Sequence, residues 1–294
     1  MAFLIPLAAT PWGAAIIGGT VTFAATKIIG YFTKPPPSPP PPPSPEITQQ
    51  ELIKSAREKL GMEVEKQYNF AVCGCSGTGK STFINSVRGI QDIAYNSGFV
   101  YAIDGPAPTG ISETTQAPAR YRWPNNVFPY LTIWDLPGGN TQTHPAETYF
   151  EDKVLYAFDC LLLLKYGRFT QLDIDIYRKA VKCNIPIAIV MTKGDVDIDN
   201  EAKLRFSRPF RKLSKNECKI LIEETTRKLK CDATNELVKA GCPEPPDNSM
   251  FVVAAQSYRD QLLALLEEND FPPLETEKLF EACSNIAVYR RSSQ

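Results

Sequence analysis

The sequence predicts an α/β domain of the P-loop class, in which a mixed, mostly parallel sheet is flanked by helices. Three motifs predict this fold: a glycine-rich loop at residues 74–81, a D-x-x-G element at residues 135–138 and a T-K-x-D element at residues 192–195. Each motif follows an apolar run of strand length, and the three occur in the order that nucleotide-binding P-loop domains require. Each is weak alone, but together they predict a nucleotide-binding domain.

The glycine-rich loop matches the phosphate-binding pattern G-x-x-x-x-G-K-[ST] at every position. Its glycines allow a tight turn in which backbone N–H groups and the positive end of the following helix face the phosphates. Lys80 is predicted to contact the β- and γ-phosphates, and the Ser81 hydroxyl to ligate Mg²⁺. The residues predicted to bind nucleotide here are Gly74, Cys75, Ser76, Gly77, Thr78, Gly79, Lys80, Ser81 and Thr82.

The D-x-x-G element ends the apolar run at residues 130–134. In this pattern the aspartate holds the magnesium ion through water, and the glycine amide senses the γ-phosphate. Asp135 is therefore predicted to be a metal-site residue, and Gly138 to act at the γ-phosphate.

The T-K-x-D element, Thr192 to Asp195, follows the apolar run at residues 185–191 and matches a guanine-reading pattern. The carboxylate of Asp195 accepts hydrogen bonds that guanine offers and adenine does not, so we expect GTP and GDP to be preferred over ATP. The stem of Lys193 is expected to lie along the base. After the last predicted strand, the backbone amide of Ala255 is expected to contact guanine O6. The rival interpretation, an adenine-specific ATPase or kinase, leaves Asp195 unexplained.

Further segments carry a resemblance to a known family. They read Ala-Pro-Thr-Gly at residues 107–110, Trp-Asp-Leu-Pro-Gly at residues 134–138 and Arg-Phe at residues 168–169, with shorter matches at residues 83–85, 88–89, 114–116, 147–149 and 173–176. Residues 69 to about 256 thereby resemble the immunity-related GTPases, a dynamin-like family linked to interferon. The resemblance implies GTP binding, slow hydrolysis accelerated by self-association into a dimer or oligomer through the nucleotide face, and work on membranes.

The chain departs from that family after Gln256. The family continues into a large helical bundle, whereas 38 residues follow here. The sequence is therefore interpreted as a divergent member with a shortened C-terminal helical region.

The loop between the first two motifs is long and rich in Gly, Pro and Thr, which is typical of a functional loop. Thr109 and Thr115 are both candidates to complete the magnesium shell, and the sequence does not choose between them. With Ser81 and Asp135, Thr109 makes up the predicted metal site.

Catalysis is indicated less directly. Gly139 stands where many small GTPases have a glutamine that orients the attacking water, so we expect slow unaided hydrolysis. The resemblance implies that Glu113 and Arg168 lie at the dimer face, Arg168 as a charge stabiliser and Glu113 as a positioning group. Both residues are equally compatible with a solvated surface. The predicted catalytic set is Lys80, Thr109, Glu113, Thr115, Gly138 and Arg168.

The composition is that of a folded domain without a broad nucleic-acid-binding surface. With 294 residues, 43% of them hydrophobic, the chain is long enough to bury a substantial core. The formal net charge is −1, so no nucleic-acid partner is expected. The eight cysteines are scattered without paired histidines, which argues against a zinc site.

An apolar segment at residues 12–32 precedes the motifs. As a helix it would be about 32 Å long, close to the thickness of the hydrocarbon core of a bilayer. Trp12 and Tyr31 bracket it, and Lys34 follows it, so the positive-inside rule places the rest of the chain in the cytosol. We therefore expect a membrane-anchored protein whose GTPase domain faces the cytosol. The alternatives are a soluble core helix, a merely hydrophobic tail and a signal peptide. A cleaved signal peptide would separate the domain from GTP.

Residues 35–45 are almost all proline and predict a stiff polyproline II spacer about 34 Å long at full extension. Such a segment also docks SH3 or WW domains, so a partner of that type stays open. The predicted organisation is an apolar transmembrane segment at 1–34, a proline-rich linker at 35–46, a helix at 47–66, the GTPase domain at 67–257 and a C-terminal helical tail at 258–294.

Other elements are predicted from pattern alone. A capping box at residues 48–51 predicts a helix with an apolar stripe at Leu52, Ile53, Ala56, Leu60 and Val64. The basic segment at residues 203–215 is expected to be a solvated loop, with contact to anionic lipid or to a partner as the alternative. The remaining predicted elements are the basic loop at 203–215, a long helix at 214–240, the last strand at 250–253 and one or two short helices around 262–266 and 275–287.

Overall fold

The computed structural model describes residues 47–94, 105–110, 115, 117–124, 128–139, 145–265 and 270–292. The apolar segment, the proline spacer and Glu113 lie outside these residues, so what the sequence predicts for them stays a prediction. Within the described ranges, no helix is both long and apolar enough to cross a bilayer.

A six-stranded sheet forms the centre of the fold. The described strands are β1 (Tyr68–Cys73), β2 (Ile93–Ala94), β3 (Pro108–Thr109), β4 (Ala119–Arg122), β5 (Leu131–Asp135), β6 (Cys160–Lys165), β7 (Ile187–Met191) and β8 (Met250–Val252). The sheet order is β4-β5-β1-β6-β7-β8, while β2 and β3 pair separately. The edge strand β4 runs antiparallel to β5, and the other neighbours in the sheet are parallel. The predicted α/β fold with a mixed, mostly parallel sheet is confirmed.

Helices cover both faces of this sheet. They are α1 (Ile47–Lys59), α2 (Lys80–Val87), α3 (Tyr149–Asp152), α4 (Gln171–Lys182), α5 (Gly194–Phe206), α6 (Lys215–Lys239), α7 (Ala255–Leu262) and α8 (Thr276–Ser292). Single turns of 3₁₀ helix lie at Leu155–Ala157, Phe210–Lys212 and Asp247–Ser249.

The side chains of β6 show how the core is divided. Leu161 and Leu163 belong to one buried cluster, together with residues of α4 and α6. Leu162 and Leu164 belong to a second cluster on the opposite face, together with residues of α2 and α8. Because both faces are covered, β6 is a continuous apolar run rather than an alternating one. The segment predicted as a C-terminal tail therefore contributes α8 to the core.

The start of the long helix agrees with the prediction from the sequence. The long helix predicted from Ser214 is α6, and Ser214 forms a capping box with Glu217. In contrast, the first helix is shorter than the predicted range of 47–66. It ends at Lys59, and Gly61 follows with a φ of 64°. Leu52 is 59% exposed, so the predicted apolar stripe is wrong at that residue.

The helix predicted around residues 262–266 is also wrong. The helix found here, α7, begins earlier at Ala255 and ends at Leu262, and Ala264 has a φ of 55° that does not continue a right-handed helix. The positions of the leucines in this segment therefore do not predict where α7 begins and ends.

The basic segment at residues 203–215 is not a loop of free charges. Arg205 contacts Glu201 at 2.6 Å and Glu224 at 2.5 Å, and Arg208 contacts Glu217 at 2.9 Å. The segment comprises the end of α5, a 3₁₀ turn and the start of α6. Since these arginines are paired with carboxylates, they give the lipid-contact alternative no support.

A buried ion pair joins α8 to the amino ends of β1 and β6. Arg291 donates from Nε to Asp159 Oδ1 at 3.0 Å and from Nη2 to Asp159 Oδ2 at 2.5 Å, and Nη2 also bonds the carbonyl of Gln67 at 2.5 Å. The backbone N–H of Asn69 donates to Asp159 Oδ2, and Arg57 of α1 lies 3.5 Å from Oδ1. This network holds the first and last described helices against the sheet.

Candidate functional site

The glycine-rich loop lies between β1 and α2, at the carboxyl edge of the sheet. The strand order reverses at β1, and ligands of open α/β sheets bind in the crevice outside such a switch point. Gly79 has a φ of 86° and caps α2. Gly74 has a φ of 127°, and a Cβ there would lie 2.4 Å from the carbonyl oxygen of Leu164. A side chain at position 74 is therefore incompatible with this approach of β6 to the loop.

A cleft opens over this loop. It brings together residues that are far apart in the sequence, and all of them except Gly110 belong to the predicted site. The lining residues are Ser76, Gly77, Gly79, Lys80, Ser81, Thr82, Thr109, Gly110, Thr115 and Gly138.

Lys80 is buried beneath the cleft and is 8% exposed. Its Nζ donates to the carbonyl of Cys75 at 2.8 Å and to that of Gly74 at 3.3 Å. Burial lowers the pKa of Lys80, and the nearby carboxylate of Asp135 opposes that shift. A phosphate in the cleft would offer the ammonium group a charged acceptor, which makes a stronger hydrogen bond than a neutral carbonyl.

Asp135 is fully buried at the end of β5 and accepts hydrogen bonds from two hydroxyl groups. Ser81 Oγ donates to Asp135 Oδ2 at 2.7 Å, and Thr115 Oγ1 donates to the same oxygen at 2.9 Å. Burial raises the pKa of Asp135, and the hydrogen bond from Ser81 opposes that shift.

The other carboxylate oxygen, Asp135 Oδ1, is buried and has no hydrogen-bond partner among the residues that the structure describes. A buried carboxylate oxygen without a partner is costly. Carboxylate and hydroxyl oxygens are ligands that Mg²⁺ prefers. The residues present at this point therefore fit a magnesium ion.

The D-x-x-G element lies directly against the glycine-rich loop. Gly139 N–H donates to the carbonyl of Gly74 at 3.3 Å, and Ser76 N–H donates to the carbonyl of Gly139 at 3.3 Å. A Cβ at Gly138 would lie 2.7 Å from the Cα of Ser76. Glycine at position 138 thus allows the backbone of the second motif to touch that of the first.

Gly139 is enclosed on its other side. A Cβ at this position would lie 2.4 Å from Leu172 Cδ2 and 2.8 Å from Tyr149 Cδ2. Helices α3 and α4 therefore fill the space into which a side chain at position 139 would extend. This packing leaves little space for a glutamine side chain at position 139.

The T-K-x-D element is tied to the glycine-rich loop by a side chain. Thr192 Oγ1 lies 3.1 Å from the carbonyl oxygen of Thr78 and 3.2 Å from that of Lys165, and its one hydroxyl hydrogen is shared between these two acceptors. This contact holds the end of β7 beside the loop that follows β1, across the end of β6.

Lys193 is the N-cap of α5, and Asp195 is the second residue of that helix. Lys193 has a φ of 60°, and its Nζ lies 4.4 Å from the ring centroid of Tyr166. Burial raises the pKa of Asp195, while hydrogen bonds from backbone N–H groups, including that of Val196, oppose the shift.

The end of β8 completes this edge. Gly194 N–H donates to the carbonyl of Val253 at 3.0 Å, and a Cβ at Gly194 would lie 2.6 Å from Val252 Cγ1. Ala255 is the first residue of α7, two residues after Val253. The structure thus brings the segment predicted to contact the guanine edge beside the T-K-x-D element.

Arg168 is exposed in the loop between β6 and α4, on the same edge of the sheet. The following residue, Phe169, donates its N–H to Glu236 Oε2 of α6 at 3.0 Å. Arg168 does not line the phosphate cleft, so any action on a bound nucleotide would be exerted from outside that cleft.

The sequence assigned no role to Thr170 or Tyr149, whose side chains support the glycine-rich loop and the D-x-x-G element. Cys75 Sγ and Thr170 Oγ1 are 2.9 Å apart, and Thr170 caps α4 in a capping box with Asp173. Tyr149 donates its hydroxyl to the carbonyl of Pro137 at 2.7 Å. The T-x-x-D pattern of the capping box was a usable signal for Thr170, whereas no local pattern marks Tyr149 as a support of the D-x-x-G element.

One protein-family model and several known proteins are similar to this chain. A family model described as interferon-inducible GTPase (IIGP) matches residues 46–292. The chain is 31% identical over 226 residues to T-cell-specific guanine nucleotide triphosphate-binding protein 2 of Mus musculus, covering 76% of this chain and 46% of that protein. It is 33% identical over 223 residues to interferon-inducible GTPase 1 of Mus musculus, covering 76% and 45%. The chain thus spans about half the length of these curated relatives.

Two solved structures are similar at lower identity. A probable GTP-binding protein engB is 14% identical, with a TM-score of 0.38, and the match covers 74% of this chain and 99% of that one. A structure of chloroplast translocon components atToc33 and psToc159 is 17% identical, with a TM-score of 0.47 and coverage of 81% and 90%.

The resemblance drawn from the motifs is confirmed, because the matching model extends over most of the chain and the relatives carry immunity-related or interferon-inducible GTPase names. This chain belongs to the interferon-inducible GTPase (IIGP) family.

Proposed function

We propose that this protein binds GTP and GDP with Mg²⁺ and hydrolyses GTP to GDP and phosphate. The observation that carries the proposal is the meeting of Ser81 and Thr115 on the buried carboxylate of Asp135, in the cleft above Lys80. These groups come from three separate segments, and the remaining oxygen of Asp135 has no partner among the described residues. Family membership supports the same activity.

The chain's own groups have distinct roles in this proposal. Backbone N–H groups of the glycine-rich loop and the ammonium group of Lys80 bind the phosphates, and the amide of Gly138 contacts the γ-phosphate. Asp195, with the stem of Lys193 and the amide of Ala255, selects guanine.

Ser81 and Asp135, together with either Thr109 or Thr115, would hold the magnesium ion. The ion, when bound, neutralises charge on the phosphate oxygens. The residues hold the phosphates and the base in one orientation, so the contribution of this chain to hydrolysis is positioning and charge stabilisation.

The test of this function is GTP turnover by the full chain at increasing protein concentration, with ATP as competitor. The inactive control is Lys80→Ala. We expect turnover that the control lacks and that ATP does not suppress. GTP binding without measurable turnover would contradict the enzymatic proposal.

Self-association is the proposed source of faster hydrolysis. Arg168 is exposed on the nucleotide edge, and we propose that it, with Glu113, acts across a dimer or oligomer formed through that edge. The turnover rate per molecule should then rise with protein concentration and fall in Arg168→Ala. A rate that is independent of concentration would contradict this part of the proposal.

A nucleotide-gated scaffold with negligible turnover is the second candidate. The observation that favours it is the enclosed position of Gly139, which leaves no room for the water-orienting glutamine of many small GTPases. In this candidate the proline-rich segment at residues 35–45 recruits an SH3- or WW-type partner.

We also propose that the protein works at a membrane, with its GTPase domain in the cytosol. The apolar segment at residues 12–32 supports this location by its length and its flanking residues. Co-sedimentation of the full chain with liposomes, compared with a chain that begins at residue 46, tests the proposal. Equal recovery of both chains with the liposomes would contradict it.

Installing a glutamine at Gly139 is expected to destabilise the protein and not to raise turnover. The new side chain would have to displace Leu172 and Tyr149, and overpacking of this kind costs about 1–3 kcal/mol. Guanidinium unfolding of Gly139→Gln and its GTP turnover measure the two effects. A variant as stable as the wild type with faster turnover would show that the packing at this position does not hinder a glutamine.

Removing the hydroxyl of Thr115 is expected to lower GTP turnover more than removing that of Thr109. Thr115 Oγ1 already contacts Asp135, and a hydrogen bond to a charged group contributes about 1.5–3 kcal/mol, which corresponds to a loss of about ten-fold or more. The measurement is turnover of Thr115→Ala and Thr109→Ala against Mg²⁺ concentration. Since both threonines line the cleft, Thr109→Ala is the matched control, and a larger loss in that variant would reverse the assignment.

A further inference from the structure

Tyr166 lies between the two halves of the nucleotide site. It directly follows β6, the strand whose end adjoins the glycine-rich loop on one side and the T-K-x-D element on the other. On the first side, the carbonyl oxygen of Leu164 closely faces Gly74. On the second side, the carbonyl oxygen of Lys165 accepts a hydrogen bond from Thr192. The backbone at position 166 therefore follows a strand end that lies between the two motifs.

Tyr166 is 41% exposed, and its ring contacts Lys193 of the T-K-x-D element. The Nζ of Lys193 lies 4.4 Å from the ring centroid, within the 6 Å range of a cation–π interaction. A lysine side chain has four flexible bonds and loses much rotamer freedom when it is fixed in one conformation. The contact with Tyr166 restricts that freedom before any ligand arrives.

We propose that Tyr166 is a positioning residue for the guanine nucleotide, a role that rests on the proposed function. Its ring holds the ammonium end of Lys193, so that the aliphatic stem of the lysine is already placed along the face of the base. Preorganisation of this kind raises affinity by lowering the entropy lost on binding. Asp195 still selects guanine, and the phosphate contacts do not involve Tyr166.

The closing experiment is a double-mutant cycle on GDP affinity in the full chain. It compares the wild type with Tyr166→Ala, Lys193→Ala and the double variant. An exposed cation–π contact predicts that Tyr166→Ala raises the Kd for GDP about two- to five-fold. In the Lys193→Ala background, removal of the ring should change nothing further, because the group that it holds is gone.

Two further variants and a second ligand separate positioning from a general structural role. Tyr166→Phe keeps the ring and should bind GDP as the wild type does. Tyr289, 74% exposed on α8, offers a matched exposed tyrosine, and Tyr289→Ala should leave the Kd unchanged. Inorganic tripolyphosphate occupies only the phosphate loop, so its affinity should be the same in Tyr166→Ala and the wild type.

The outcomes are distinct. A Kd for GDP that is unchanged in Tyr166→Ala, or an equal loss in the Lys193→Ala background, overturns the role of Tyr166 and leaves the proposed function standing. A parallel loss of tripolyphosphate affinity assigns the effect to distortion of the loop and also overturns it. Failure of the wild type to bind GDP overturns the proposed function, and this inference with it.

Discussion

Replacement of Arg291 by methionine is expected to lower the free energy of unfolding by about 3 kcal/mol. Removing one partner of a buried ion pair costs about 3–5 kcal/mol, because the remaining charge is left uncompensated. Arg291 is 7% exposed, and Asp159 is buried with it. The lower end of the range applies here, since Asp159 keeps the N–H of Asn69 and a 3.5 Å contact with Arg57.

Equilibrium unfolding in guanidinium chloride measures this change through the midpoint and the slope. Arg208→Met is the matched control, because Arg208 pairs with Glu217 at the surface and exposed pairs contribute about 0–1 kcal/mol. In the Arg291→Met background, Asp159→Asn should recover part of the loss by removing a buried charge that the 3.5 Å contact with Arg57 compensates only in part. If Arg291→Met and Arg208→Met lose the same stability, the buried pair has no special role.

Replacement of Asp195 by asparagine is expected to weaken GDP binding by about two orders of magnitude or more. The carboxylate is proposed to accept two hydrogen bonds from guanine, and each hydrogen bond to a charged group contributes about 1.5–3 kcal/mol. Asparagine keeps the shape of the side chain but replaces one acceptor oxygen by a donor NH₂ group. A base that presents a carbonyl instead of the 2-amino group should then be preferred.

The measurement is the Kd of GDP and of xanthosine diphosphate for the wild type and for Asp195→Asn. We expect the order of the two affinities to reverse, with the free energy of unfolding of the nucleotide-free protein little changed. Asp197→Asn is the matched control, because Asp197 lies on the same helix two residues later and has no proposed contact with the base. Unchanged GDP affinity in Asp195→Asn would mean that another group reads the base.

Local patterns predicted much of the fold. The apolar runs before the three motifs are β1, β5 and β7, and the long helix predicted after Ser214 is α6. These elements are encoded in neighbouring residues, through strand-length apolar runs and a capping box. The ends of α1 and α7 were not predictable in this way, because the apolar pattern continues past both ends. It runs on to Val64 after α1 ends at Lys59, and to the exposed Leu263 and Leu265 after α7 ends at Leu262.

The sequence by itself determined the glycine-rich loop, the T-K-x-D element and the family, since each depends on residue types at short, regular spacings. Only the tertiary structure decided which hydroxyl joins Ser81 on Asp135, and that α3 and α4 enclose Gly139. It alone also paired Arg291 with Asp159, 132 residues away. Such contacts depend on the order in which strands lie in the sheet, and strand order is set by the packing of the whole core rather than by any local run of residues.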